Sequence, residues 1–472
     1  MGQEEIRATA VVLAAGGGTR MKSSLPKVLH RAAGRPLLAH VLAALAPLAL
    51  DGRLIVTSDR KAEIEGAMKA SGHAEGLSYA IQDPARGTAD ALRVGLEALD
   101  GNSPTLLVVP GDTPLLETDT LDALLHVHAQ NPSGVTLLTA RISDPTGYGR
   151  VVRANDVIER VVEERDASYE ERTIDEINAG VYVFDARLLG DLLDKIDREN
   201  AQSEYYLPDV VRLLRSEGRD VHSYRTHPQE VLGVNSRAQL ARVSELLRRR
   251  ACERWMDEGV TVVDPNTTYI DDSVSIGRDA TIQPFTFLEG ATSVGEGAEV
   301  GPQVRIVDSR IESGARVSFS VVLSSEIGPD ASVGPFASLR PGTRLGREAK
   351  VGTFVETKNS TLGEESKAPH LAYLGDATLG RRVNIGAGTV TCNWDGRSKH
   401  ETIIEDDAYI GSDTMLVAPA HIGKRAATGA GAVVNQDVPS DALAVGAPAR
   451  IIEGRGDKMG KRGRDQDQES RQ

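Results

Sequence analysis

The chain has 472 residues, 40% hydrophobic and 26% charged, with a formal net charge of −14 at pH 7. That length exceeds one hydrophobic core and predicts two or three domains. The acidic balance argues against a general nucleic-acid or acidic-membrane binder, which needs a basic surface to release counterions, but leaves an anionic small substrate open through local Lys and Arg clusters. Cys252 and Cys392 are the two cysteines and lie far apart, which supplies neither a disulfide framework nor a zinc quartet. With no apolar run of spanning length and no basic-then-apolar leader, the reading is a soluble, cytoplasmic protein without membrane insertion. Aromatics make up only 4% while glycines number 47, so packing must rest on small and aliphatic side chains.

In chain order, Ala8 to Ala14, Arg53 to Thr57 and Thr105 to Val109 are short apolar runs ending in turn-forming or polar residues. Helical stretches such as Pro36 to Leu48 and Thr88 to Leu99 lie between them. This alternation predicts an α/β domain over 1–235 with a mostly parallel sheet, whose ligands bind at the carboxyl ends of strands. The glycines after Ala15 and Asp112 fall there. Residues 236–257 carry leucines and valine at helical spacing and predict a linker helix, its arginine run reading as a solvated face.

From Ile270 an aliphatic residue recurs every six positions, through Ile276, Ile282, Leu288, Val294, Val300 and Ile306. After a slip of one residue come Ile311 and Val317; the period returns from Ile327 to Val351, then at Leu379 and Ile385, and runs again from Ile404 to Thr428. Neither a helix nor a flat strand has a six-residue period, whereas a three-faced parallel β-helix does. Residues 258–453 are therefore expected to form a hexapeptide-repeat solenoid. Thr357 to Ala377 breaks the period and is expected to loop out of it, carrying the binding work. The polar stretch 454–472 is expected to be a disordered tail.

The first cluster that carries chemistry is Leu13-Ala-Ala-Gly-Gly-Gly-Thr-Arg-Met21 followed by Pro26-Lys27. Glycines let backbone N–H groups approach a phosphate, and Arg20 and Lys27 can balance its charge. Alone, such a turn is weak evidence, and Asp112 alone reads as a turn residue. The ordered set of Gln82, Gly87-Thr88, Gly111-Asp112, Tyr148-Gly149-Arg150, Glu163, Asn178 and Asn235 is far more specific. It resembles the sugar-nucleotide pyrophosphorylases, and over residues 7 to 450 the chain resembles the bifunctional N-acetylglucosamine-1-phosphate uridylyltransferase and glucosamine-1-phosphate acetyltransferase family. The resemblance implies a Rossmann-like nucleotidyltransferase domain joined by a helix to a left-handed parallel β-helix. It implies magnesium on Asp112 and Asn235, and binding of UTP and N-acetylglucosamine-1-phosphate by Leu13, Ala14, Gly16, Lys27, Gln82, Gly87, Thr88, Gly111, Gly149, Glu163, Asn178 and Asn235. Pro110 departs from the tyrosine that family often has there.

In the solenoid, His370 lies in Pro369-His-Leu-Ala-Tyr373, between Arg340 with Lys358 and the run from Asn384 to Gly396. A lone histidine is more often structural, but an imidazole of near-neutral pKa suits deprotonation of an amino-sugar ammonium before it attacks a thioester. By the same resemblance His370 is the base, with Glu356 expected to orient it. Arg340, Lys358, Tyr373, Asn384, Asn393 and Lys399 hold glucosamine-1-phosphate, and Ala387, Asn393, Trp394, Ser412 and Ala430 hold acetyl-CoA. Trp394 replaces a tyrosine of the family and Ala447 an arginine, for which Arg450 is the candidate substitute. A homotrimer is expected, with Lys399 reaching the site from a neighbouring chain. Against this bifunctional reading stand a pyrophosphorylase of other specificity with a purely structural solenoid, which the His370 neighbourhood disfavours, and an inactive binding subunit, which Arg20, Lys27, Asp112 and Asn235 disfavour.

Overall fold

A computed structural model of the chain describes residues 6–99, 103–131 and 133–456. The part of the expected tail from 457 onward lies outside them. The chain divides into two compact units, 1–247 and 248–472.

The first unit runs, in order, β1 (Ala8–Ala14), the ribbon β2 (Arg31–Ala32) and β3 (Arg35–Pro36), α1 (Leu37–Leu45), β4 (Leu50–Thr57), α2 (Lys61–Ala70), β5 (Leu77–Ile81), α3 (Thr88–Glu97) and β6 (Thr105–Pro110). It continues with α4 (Thr118–Gln130), β7 (Val135–Arg141), β8 (Arg150–Ala154), β9 (Val157–Val162), β10 (Glu176–Asp185), α5 (Ala186–Asp194), α6 (Asp209–Ser216) and β11 (Val221–Arg225). The main sheet has the order β11-β7-β10-β6-β1-β4-β5. Its pairs are parallel except around β10, which runs antiparallel to both β6 and β7.

Alternation within the central strands sorts residues to two covered faces. Val12 and Leu107 pack with Leu38 of α1 and Leu121 of α4, while Val11 and Leu106 pack with Leu92 of α3, Leu189 of α5 and Val210 of α6. A sheet buried on both faces reads as a continuous apolar run, which is why β1 and β6 are so plain in the sequence. Leu13 registers with Pro110 and Ala14 with Thr57, so β1, β4 and β6 end together. The glycine loop, Asp112 and Gln82 all leave from that edge.

Helix α7 (Arg237–Asp257) contributes to both units. Val243 and Leu246 are buried with Met21, Leu37 and Val234 of the first, and Cys252 and Trp255 with Val260 and Ile270 of the second.

The second unit is a left-handed parallel β-helix of two- to nine-residue strands. Coil stacks on coil in parallel register, Ile276 on Val294, Val294 on Ile311, Ile311 on Ile327 and Ile327 on Leu345. The inward aliphatics form one continuous core along its length.

One expectation is overturned. Thr357 to Ala377 does not loop out: Lys350–Lys358 pairs in parallel with Lys367–Gly375, and Leu362 stacks between Leu345 and Leu379. Thr357, Leu362, Ala368 and Leu374 are fully buried. The period is hidden because Thr357 and Ala368 fill inward positions that elsewhere hold large aliphatics, and because the coil repeats at 17 residues. The true insertion comes later, between Thr391 and Thr402, where stacked partners become 25 residues apart.

Candidate active sites

At the carboxyl edge of the first sheet, a cavity of about 350 Å³ is lined by Leu13, Ala14, Gly16, Lys27, Gln82, Gly87, Thr88, Asp112, Glu163 and Asn178, among others. Lys27 Nζ donates to the Asp112 carboxylate and lies 3.2 Å from Asn235 Oδ1. Asn235 is held in turn by its backbone N–H, which donates to Gln239 Oε1 at 2.8 Å. An ammonium spanning two oxygen donors marks a position that favours a cation. A carboxylate and an amide oxygen suit a hard divalent ion that completes its shell with water and substrate phosphates. Among the described residues no cluster of three or more His, Cys, Asp or Glu forms a self-sufficient metal cage.

The turn that carries Gly87 is built for close approach. Gly87 has φ +121°, and a Cβ there would lie 2.5 Å from the Tyr205 carbonyl oxygen, so only glycine fits. Thr88 Oγ1 accepts from the Leu207 N–H at 3.1 Å. Gln82, 3% exposed, donates through Nε2 to Gly87 O at 3.1 Å and to Asp90 Oδ2 at 2.8 Å.

On the far side of the cavity, Gly149 O accepts from Asn178 N at 2.9 Å, and Asn178 Nδ2 donates to the Tyr182 hydroxyl at 2.6 Å. A Cβ on Gly149 would stand 3.2 Å from Glu163 Oε1. Burial first, then the neighbouring Asp166 and Asp209, push the Glu163 carboxyl up to about 7. Gly111 supports the site from behind, its N–H donating to Leu13 O at 2.9 Å. Pro110 lines the cavity beside Gly180. Arg20 sits exposed on the turn Thr19–Met21, which follows the Gly16 and Gly17 that line the cavity, and is not itself among the lining residues. Asp90 and Tyr182 were not found by sequence reasoning; each acts through a partner, which no local motif marks.

In the second unit, His370 lies within the strand Lys367–Gly375, registered with Thr353 and exposed to solvent. The Glu356 carboxylate accepts from Arg340 Nη1 at 2.9 Å. His370 stands at a corner of the solenoid, one residue before Leu371, whose φ is +36°. Successive coils repeat the corner at Gly388, Asp413 and Gly431, all with positive φ. Gly388 N donates to Leu371 O at 2.6 Å, Asp413 N to Ala387 O at 2.7 Å and Gly431 N to Ser412 O at 2.9 Å. His370, Ala387, Ser412 and Ala430 therefore hold equivalent places in four stacked coils, with about 4.8 Å between neighbours.

Cations gather on the face beside that corner. Lys399 and then Arg340 depress the Lys358 ammonium below its ordinary range, while Asp376 opposes them. Lys399, expected from a neighbouring chain, thus lies against Lys358 of its own chain. Asp376 accepts from Asn359 Nδ2 at 2.7 Å and Asn393 Nδ2 at 2.6 Å. The Tyr373 hydroxyl and the Asn393 amide both overhang Gly375, where a Cβ would meet them at 2.5 and 2.7 Å. Asn384 lies around the corner, registered with Lys367 and Tyr409.

The insertion between Thr391 and Thr402 carries Trp394, 57% exposed, bridged to Lys399. Asp395 ties this loop by accepting from the N–H groups of Arg397 and Ser398 at 2.7 Å and from His400 Nε2 at 2.7 Å. Those bonds hold the Asp395 carboxyl well below the usual carboxylate range. Ala447 and Arg450 lie at the last coil, both exposed.

The chain matches the family described as MobA-like NTP transferase domain over residues 10–179. It is 45% identical over 443 residues to a bifunctional protein GlmU of Carboxydothermus hydrogenoformans, covering 93% of this chain and 98% of that one. It is 49% identical over 452 residues to the bifunctional protein GlmU of Streptomyces griseus, covering 95% and 93%. The corresponding protein of Corynebacterium efficiens is 46% identical over 459 residues, covering 96% and 94%. With matched relatives of this identity spanning both units, the chain belongs to the family of the bifunctional protein GlmU.

Proposed function

We propose that the chain makes UDP-N-acetylglucosamine in two reactions at two sites, acetylating glucosamine-1-phosphate in the solenoid and transferring uridylate to the product in the α/β unit. The observation that carries this reading is the corner ladder of His370, Ala387, Ser412 and Ala430. A base heads a track of small residues long enough for the slender arm of acetyl-CoA, and cationic Arg340, Lys358 and Lys399 stand beside it for a sugar phosphate. A purely structural solenoid has no need of that combination.

In the acetyl transfer, His370 takes a proton from the sugar ammonium. The freed amine attacks the thioester carbonyl, the C–S bond breaks, and the second proton leaving nitrogen goes to the departing sulfur, so that coenzyme A leaves as the thiol. Arg340, Lys358 and Lys399 neutralise the phosphate, and Tyr373, Asn384 and Asn393 hold the sugar. Ala387, Trp394, Ser412 and Ala430 flank acetyl-CoA, with Arg450 standing in for the arginine that Ala447 replaces.

In the uridylyl transfer, a phosphate oxygen of N-acetylglucosamine-1-phosphate attacks the α-phosphorus of UTP, and the α–β bond breaks to release pyrophosphate. Such chemistry needs alignment and charge neutralisation rather than a protein nucleophile. Lys27 and Arg20 neutralise phosphate oxygens, Gln82, Gly87 and Thr88 hold the uracil, and Gly149, Glu163 and Asn178 hold the sugar. Magnesium, when held by Asp112 and Asn235, supplies the remaining positive charge at the phosphates.

The functional parts are residues 1–235 and 258–453, with 236–257 between them. Among the described residues no helix is long and apolar enough to cross a membrane, and a cytoplasmic enzyme is proposed. A homotrimer is supported by an exposed apolar ridge of Phe285, Phe336, Phe354 and Leu371, each more than half exposed, that leads to His370.

The test is purified protein with acetyl-CoA and glucosamine-1-phosphate, the released thiol being followed over time. Wild type releases thiol and His370→Ala does not. A folded wild type that releases none would leave a uridylyltransferase carried on a structural solenoid.

A further inference from the structure

We infer that Asp90 is a specificity-positioning residue: it fixes the side-chain amide of Gln82 so that the carbonyl, not the NH2, faces the base of the nucleotide. This rests on the reading that Gln82 meets the base. Gln82 is 3% exposed, Asp90 is 8% exposed, and Gln82 lines the cavity. Both partners of Gln82 Nε2, the Gly87 carbonyl and the Asp90 carboxylate, are acceptors only. The amide nitrogen must therefore point at them, since the opposite orientation would set Oε1 against a carboxylate and a carbonyl. With both N–H groups engaged, Oε1 is the group left for the cavity.

That choice selects a base. Uracil presents a donor, N3–H, at the position where cytosine presents a bare N3 acceptor beside an amino group. A fixed carbonyl acceptor pairs with the first and opposes the second. A Gln free to rotate by 180° would accommodate both, because its two ends differ only in donor and acceptor character. Asp90 is therefore the residue that converts an ambivalent side chain into a one-way reader. Arg93, 3.8 Å from Asp90, keeps the carboxylate in place from the next turn of α3.

The experiment measures kcat/KM for UTP and CTP with N-acetylglucosamine-1-phosphate and magnesium, following pyrophosphate release by the full chain. In Asp90→Ala the UTP-to-CTP ratio falls by about tenfold or more, because one of the two bonds that orient the amide is gone. Asp90→Asn, whose Oδ1 can still accept from Gln82, keeps a ratio closer to wild type than Ala does. If the alanine chain fails to fold, Asp90→Leu supplies the same loss of acceptor at greater volume.

A merely structural Asp90 would lower kcat/KM for both nucleotides together, and an unchanged ratio in the folded variant overturns the inference. Gln82→Ala separates the two failures. If it too leaves the ratio unchanged, the placement of the base at Gln82 is wrong. If it collapses the ratio while Asp90→Ala does not, only the role of Asp90 falls.

Discussion

Leu362 is fully buried, stacked between Leu345 and Leu379 in the coil that the six-residue period skips. Replacing it with alanine leaves a void between two hydrogen-bonded coils that have little freedom to close on it. Buried Leu→Ala changes cost about 2–5 kcal/mol and more where the site cannot collapse, so about 3–4 kcal/mol is expected here. Trp255 and Trp394 both belong to the second unit, so urea unfolding followed by tryptophan fluorescence reads that unit directly. Protein concentration is held constant, because assembly shifts apparent stability. Val263→Ala, at a side chain of the same unit 52% exposed and outside the apolar ridge, serves as the control and is expected to stay within about 0.5 kcal/mol. An equally small effect for Leu362→Ala would mean that the segment bearing His370 is not part of the solenoid, and the corner ladder would fall with it.

Glu163 gives a pH signature. Its carboxyl is raised from 4.5 to about 7, so the folded chain holds a proton that the unfolded chain has lost. The associated stability is full below the unfolded pKa and disappears as pH rises through about 7, a change of about 3 kcal/mol. Calorimetry should show the first unit weakening from pH 5 to pH 8 in wild type and less so in Glu163→Gln. Chelation of divalent cations should abolish pyrophosphate release and leave thiol release unchanged, if the proposed magnesium ligands Asp112 and Asn235 serve uridylyl transfer alone. Lys358→Ala should lower kcat/KM for glucosamine-1-phosphate by about 10- to 100-fold, mostly through KM, as the loss of one charge-assisted phosphate contact.

Both architectures were legible because each imposes a strong pattern. The doubly covered β1 and β6 appear as unbroken aliphatic runs, and the solenoid core repeats every six residues. What the pattern hid was physical as well. Thr357 and Ala368 satisfy inward positions without aliphatic bulk, so a coil in register looked like an excursion, while the real insertion around Asp395 falls in the other gap of the period, between Ile385 and Ile404. The antiparallel β10 was invisible because strand direction leaves no trace in composition. The nucleotide-site residues were legible as an ordered set of motifs, and the structure gathers most of them around one cavity. Asp90 and Tyr182 escaped because each works only by holding another side chain, and the Arg340–Glu356 pair escaped because its members meet in adjacent coils but lie 16 residues apart in sequence.

The central claim is that two complete reactions reside at two separate sites of one chain, and mixing variants tests it most directly. Asp112→Ala and His370→Ala are each supplied with glucosamine-1-phosphate, acetyl-CoA, UTP and magnesium, alone and together, and UDP-N-acetylglucosamine is measured. Neither variant alone should make the product, whereas the mixture should, since one supplies the acetylated sugar phosphate and the other consumes it. A mixture of folded variants that makes none would contradict the assignment of the two reactions to independent sites.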